Sequence, residues 1–498
     1  MKKIYRSIAA FALIVVFSAC NEDDFLKVEY KNGITDQSFL TSPVHADQAV
    51  TGIYDCLGFQ GIFNWTRIML GSSAADDIVE DHGDPTWSDL INLDKYRWTP
   101  QNTHLWDHWT DNYVGIARAN QVIKKVPELQ GLEAGLATRY VAEAKALRAL
   151  FYYNLVTVHG DIPLITEPIS YEQSKNLTRN PEAEVWAQIV KDLVEAKDQL
   201  PDSYGASDLG RVTKGFANGM LSRVYLWIKE YDKAAAAALS VINSPAGYQL
   251  QTKYADLFNG IANESKESIL AVMNAAGMPE GSIWARQRDE TNRNYLYGPY
   301  FSWSWFIQPS RDFIDKDVES GDIRMDVSTL DSKKGETYDI NNDGKIDASD
   351  AIPSSPPGNV HLMKYVPANT DLTSGSVWSG GLGWVHVHIF RYSEVLLNYA
   401  DAMVELGRAS EALPYINRIR NRGGLGNITA TDKKQLQDII LHERKVEFCF
   451  EGVRFFDLKR VGRLKEFLGP LGWTDKNVVF PIPQEEINLT KMQQTEGY

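Results

Sequence analysis

Six residues have the sharpest chemical spacing in the chain: Asp339, Asn341, Asp343, Lys345, Asp347 and Asp350. They follow the D-x-[DN]-x-[DN]-G pattern of a single-loop calcium site. Asp339, Asn341 and Asp343 supply hard side-chain oxygens, and Gly344 permits the sharp turn. Lys345 offers its backbone carbonyl, and Asp347 acts directly or through water. Asp350 stands where a longer, bidentate Glu is usual, so a water completes the shell there. Pro353, Pro356 and Pro357 follow, which rules out a flanking helix. The expectation is one structural calcium ion; the competing reading is a metal-free acidic turn.

A second chemistry comes from aromatic residues interleaved with polar ones. One cluster holds Trp87, Tyr96, Trp98, Trp106 and Trp109, with Asp76, Asp77 and Asp81 nearby. Another holds Trp284, Tyr295, Tyr297, Tyr300, Trp303 and Trp305, with Arg286, Arg288, Asp289 and Arg293. Trp378 and Trp384 come later. Sugars stack their C–H faces on aromatic rings while their hydroxyls bond to Asp, Asn and Arg, so such mixtures suit carbohydrate binding. A single Trp is more often core. Trp106 and Trp109 lead into Tyr113, Ile116 and Ala117 and read as core, whereas Trp87 sits in a Gly-Asp-Pro loop. The expected ligand contacts are Asp77, Trp87, Trp98, Trp284, Arg288, Tyr295, Tyr297, Trp303 and Trp378.

Catalytic signatures are missing. The chain has no G-x-S-x-G elbow, phosphate loop or dinucleotide fingerprint. His442-Glu443 lacks the second His of a zincin helix, since residue 446 is Val. His386 and His388 alternate without a third ligand. The 65 acidic residues leave a glycoside-hydrolase carboxylate pair open. Glu443, Glu447 and Glu451 form a row at i,i+4 spacing that an isolated helix would disfavour. They are expected to meet arginines from neighbouring helices, and an active-site row is the lesser reading.

The elements that position these residues are mainly helical. Tyr392, Val395, Leu396, Tyr399, Ala402 and Met403 follow the 3.6-residue period, predicting a helix over 391–405 stopped by Gly407. A partner follows over 410–420. Further pairs are predicted over 140–158 with 181–200, and over 212–229 with 232–242. Small Ala and Gly residues suit close packing of such helix–turn–helix units. Between 251 and 384 Gly, Asn, Ser and Pro break the periodicity, which predicts short strands and functional loops.

The N-terminus reads as a leader. Lys2, Lys3 and Arg6 precede an apolar run over 8–17 that is too short to span a bilayer. Ser18-Ala19-Cys20 is the small-residue box of a lipoprotein signal, so 1–19 would be cleaved and Cys20 acylated. Residues 20–41 would be a tether, and acidic residues 21–24 suit an export signal. Loss of the leader makes the formal charge of −14 more negative still. Such a chain repels phosphates, which argues against nucleic acid. Cys449 lies in an apolar helical context and reads as a buried thiol, with a disulfide to Cys56 as the alternative.

Residues 441–460, from Leu441-His-Glu-Arg to Phe-Asp-Leu-Lys-Arg460, and Phe480-Pro-Ile-Pro483 resemble the C-terminal signature of the SusD/RagB family. Segments 142–153, 159–164, 210–215, 391–401 and 417–424 extend the resemblance over nearly the whole mature chain. The family comprises outer-membrane glycan-binding lipoproteins of Bacteroidetes. The resemblance implies a mainly α, SusD-like fold with four irregular tetratricopeptide-like hairpins and a loop-rich binding region with short strands. It divides the chain into an N-terminal helical region over 42–250, an irregular ligand-binding region over 251–384 containing the 339–350 loop, and a C-terminal helical region over 385–498. It implies a non-enzymatic, lipid-anchored protein on the outside of the outer membrane. That protein captures oligosaccharides or polysaccharides and delivers them to a SusC-like TonB-dependent transporter. A surface glycoside hydrolase, or a capture protein for peptides or host glycoprotein glycans, are the alternatives.

Overall fold

Amphipathic and Ala-rich segments fold, in the computed structural model of the chain, into helices that pack in sequence order. The structure describes residues 40–80, 88–274, 307–331, 334, 345, 360–365 and 385–498. The leader, Cys20 and nearly all of the tether lie outside them. The principal helices are α1 (Pro43–Asp55), α2 (Thr103–Lys125), α3 (Ala134–His159), α4 (Glu182–Lys197), α5 (Lys214–Trp227) and α6 (Tyr231–Ile242). After the irregular region come α7 (Tyr392–Glu405), α8 (Ala409–Arg422), α9 (Lys433–Glu447) and α10 (Arg454–Arg460).

The pairs α3/α4, α5/α6 and α7/α8 match the three helix pairs located in the sequence, and α1/α2 makes a fourth. They stack through α2 on α3, α4 on α5 and α6 on α7, while α9 closes against α7 and α8. Side-chain caps start several of the helices. Asn102 accepts from His104 N–H, Thr213 from Phe216 N–H and Asp432 from Gln435 N–H. In α6 the small Ala234, Ala235, Ala237 and Ala238 are buried, which lets it lie between α5 and α7.

Helix α3 is the centre, buried almost continuously from Ala142 to His159. Two charges survive inside it, Glu143, which pairs with Arg211 at 3.1 Å, and Arg148. Arg148 donates bidentately to Asp192 of α4 at 2.8 and 2.7 Å, and to the Asn120 side chain of α2 at 2.7 Å. A planar guanidinium with matched acceptors joins three helices where an unpaired charge could not stay buried.

Six short strands, β1 (Ile78–Glu80), β2 (Ser268–Val272), β3 (Ile307–Pro309), β4 (Thr329–Asp331), β5 (Val360–Leu362) and β6 (Val387–Arg391), form antiparallel ladders β1–β3, β2–β6 and β4–β5. The described parts of 251–384 therefore match the expected short strands and loops. Cys56 and Cys449 are both buried free thiols, so the disulfide alternative falls.

Candidate functional site

Strand β1 pairs with β3 in the register Ile78↔Pro309, Val79↔Gln308, Glu80↔Ile307. The chain thus leaves β1 and enters β3 at one end of the same ladder. Residues 81–87, with Trp87, follow Glu80 directly, and Trp303 stands a few residues before Ile307 in sequence. The two-stranded ladder is closed further by Ser310 N–H donating to the Asp77 carbonyl at 2.8 Å.

The base of the ladder is built from charge. Asp76 accepts from Arg454 Nε at 2.7 Å and from Lys445 Nζ at 2.9 Å. Burial pushes its carboxyl up, but Arg454 and Lys445 outweigh it and hold it down at about 2. Asp77 is fully buried, and its Oδ2 accepts from Ser72 Oγ and from Phe450 N–H, both at 3.2 Å. Burial and the neighbouring Asp76 charge push it up to about 6. Glu80 is also fully buried. Burial pushes it up to about 8, against the Ser73 hydroxyl, so it is mostly a neutral acid at pH 7.

Two expected ligand contacts are therefore corrected. Asp77 faces inward and staples β1 to the turn at Phe450. Trp98 is 2% exposed; its indole stacks on Phe480 at 3.8 Å and donates to the Leu93 carbonyl at 3.0 Å. It receives the returning C-terminus, whose Phe480 N–H donates to the Val158 carbonyl and whose Pro481 carbonyl accepts from His159 Nδ1. Sequence could not separate a sugar platform from a seat for another aromatic. Trp87, Trp284, Arg288, Tyr295, Tyr297, Trp303 and Trp378 lie outside the described residues. So do Asp339, Asn341, Asp343, Asp347 and Asp350 of the calcium loop; Lys345 is described, exposed and without regular structure.

The carboxylate row meets arginines, as expected. Glu447 lies 2.9 Å from Arg391 and 3.4 Å from Arg324, and also pairs with Arg422. Glu443 takes Arg324 at 3.0 Å and Arg420 at 2.5 Å, and Glu451 takes Arg391 at 2.8 Å and Lys364 at 2.9 Å. Burial pushes Glu447 up, but the three arginines together drive it well below the carboxylate range. Buried and paired with cations, these carboxylates hold the strand region on the helices. Glu319, His442 and Glu443 converge within 4.8 Å, yet Arg420 bridges the two carboxylates at 2.7 and 2.5 Å, where a metal would sit. His388 bonds the Leu257 carbonyl and Ser268, and is committed to the fold.

The sequence reading missed one concavity. A groove of about 1030 Å³ runs along α2, floored by Trp109 and Tyr113 and rimmed by exposed Ile169, Tyr171 and Leu489. Its walls come from the 160–181 connector and the C-terminus, so only tertiary packing assembles it. Among the described residues no helix is long and apolar enough to cross a membrane.

Comparison with known proteins agrees with this architecture. The SusD family model matches residues 246–477, and a second, described as starch-binding associating with outer membrane, matches residues 24–226. A SusD-like protein of Formosa agariphila is 26% identical over 537 aligned positions, covering 100% of both chains. One of Bacteroides ovatus is 27% identical, covering 92% of this chain and 82% of its own. Among solved structures, a laminarin-binding SusD-like protein superposes with a TM-score of 0.79 at 27% identity, covering 92% of this chain and 100% of that one. A SusD superfamily protein of Bacteroides vulgatus superposes at 0.79 with 22% identity, over 92% of this chain and 100% of its own, a likeness of fold. With the helical pairs, the ladders and both halves of the sequence in agreement, the chain belongs to the SusD/RagB family of glycan-binding proteins.

Proposed function

We propose that the chain is a cell-surface lipoprotein, anchored in the outer membrane through Cys20. It captures oligosaccharides or polysaccharides and delivers them to a SusC-like TonB-dependent transporter. The observation that carries this reading is the Glu80↔Ile307 pairing, where the described chain leaves seven residues before Trp87 in sequence and resumes four residues after Trp303. Aromatic stacking beside hydroxyl-binding polar residues is the chemistry that holds neutral sugars. Family membership and a laminarin-binding relative of the same fold support a glycan as ligand. Capture needs no covalent step, and the pairing of the carboxylate row with buried arginines favours binding over hydrolysis. The donor set Asp339, Asn341, Asp343, Lys345, Asp347 and Asp350 supports one structural calcium ion.

The test is affinity electrophoresis of the mature protein against a polysaccharide panel that includes laminarin, with product analysis. Retarded migration without released sugar, lost in Trp87→Ala and Trp303→Ala, is the expected result. Released oligosaccharides would replace capture by hydrolysis, and binding of peptides alone would replace the ligand class. Chelation should lower the unfolding temperature, with recovery on adding calcium; an unchanged temperature removes the ion. Co-purification from outer membranes with a TonB-dependent transporter checks the delivery step.

A further inference from the structure

The helical scaffold holds a second pocket of about 460 Å³, framed by α5–α7, α9 and α10, and none of the residues expected to contact glycan line it. One wall is an indole pair, Trp186 and Trp227, with centroids 5.6 Å apart and planes at 25°. Lys459 also lines it. The Lys459 ammonium donates to the Thr157 carbonyl at 2.8 Å and makes no ion pair among the described residues. An ammonium has three donors, so two remain. Burial pushes the amine down to about 7, with Glu182 opposing, which is the state of a cation short of a counter-charge.

The arginines of the pocket are committed. Arg460 pairs with Asp401 at 2.7 Å, Arg444 with Asp457 at 2.8 Å and Arg463 with Asp438 at 2.5 Å. Lys229, also on the lining, makes no ion pair among the described residues. The charges on the lining without an ion pair among the described residues are Lys459 and Lys229 against Glu182, a positive excess in a chain of net −14. The volume lies within the range of roughly 300–1,000 Å³ typical of small-ligand sites, enough for one or two sugar rings.

We infer that this pocket binds a carboxylate-bearing monosaccharide of hexuronate size, its carboxylate on Lys459 and its ring against the Trp186–Trp227 wall. The paired carboxylates Asp401 and Glu405 stand on the lining as acceptors for ring hydroxyls. The site is separate from the β1–β3 ladder, so it stands or falls independently of glycan capture there.

Isothermal titration of the full mature protein with glucuronate, glucose and glucose 6-sulfate tests it. Saturable glucuronate binding is expected, with glucose at least tenfold weaker. Lys459→Met should weaken glucuronate at least tenfold while retaining cooperative unfolding. Should that variant fail to fold, Lys229→Ala together with the glucuronate-to-glucose ratio in the unaltered protein carries the test. In that case a ratio near one with no effect of Lys229→Ala overturns the proposal. Absence of saturable binding, undiminished binding in folded Lys459→Met, or preference for the sulfate ester would each overturn the carboxylate assignment. Retained binding in a Trp87→Ala, Trp303→Ala protein separates this pocket from the capture surface.

Discussion

Gly71 and Gly452 meet backbone to backbone. A Cβ on Gly71 would lie 1.8 Å from the Gly452 carbonyl oxygen, and one on Gly452 would lie 2.6 Å from Ile68 Cα. Gly452 N–H also donates to Ser72 Oγ at 3.3 Å. The turn before β1 is thus seated directly on the C-terminal signature. The signature's Phe-Glu-Gly run supports the ladder from beneath.

Gly452→Ala should therefore be severe. Gly452 sits at φ +76°, where a side chain costs about 1–2 kcal/mol, and the backbone clash adds about 1–3 kcal/mol. Gly407, at φ +73° with open space around it, is the control; Gly407→Ala should lose only the first of these. Urea unfolding of both variants checks this, and equal losses would show that the contact is loose.

Glu447→Gln should destabilise by about 3–5 kcal/mol, because it leaves buried Arg391, Arg422 and Arg324 short of negative charge. Glu411→Gln, which breaks an exposed i,i+3 pair with Arg408, should leave the unfolding curve in place. A small loss in Glu447→Gln would mean that the network is redundant.

Glu80 sets a pH dependence. Its folded pKa, about 8, lies above the unfolded value near 4.5, so the folded state binds the extra proton between them. The stability linked to that proton is fully present below about pH 4.5 and is lost as pH rises through 8. Relative to Glu80→Gln, which cannot ionise, the native protein should lose stability steadily across that window. Parallel stability curves for the two proteins would refute it.

Trp98 should behave as core. Trp98→Ala removes the stack on Phe480 and should cost about 3–5 kcal/mol. Glycan retardation measured well below the lowered melting temperature should be unchanged. Loss of binding in a folded Trp98→Ala protein would return this indole to the ligand surface.

The helical pairs were legible because their signal is local. Six helices expected from periodicity occur as α3–α8, with boundaries displaced by a few residues at most ends. The 3.6-residue period and the stop at Gly407 act within a few turns of chain. The i,i+4 glutamate row was legible too, since like charges at that spacing demand outside partners. Which arginines answered, from Arg324 in a short helix to Arg391 at the end of β6, depended on contacts between segments far apart in sequence.

By itself the sequence determined the helical class, the irregular interruption and the segments that carry the family resemblance. Only tertiary structure decided which aromatic and acidic residues face inward. Trp98 and Asp77 have the composition of a sugar site, but burial is a property of what packs against a residue. Phe480 and the Phe450 backbone N–H, each more than 370 residues away in sequence, took their faces. The same reason hid the pocket at Lys459: its walls come from helices that periodicity could find one at a time, while the space between them exists only once they stack.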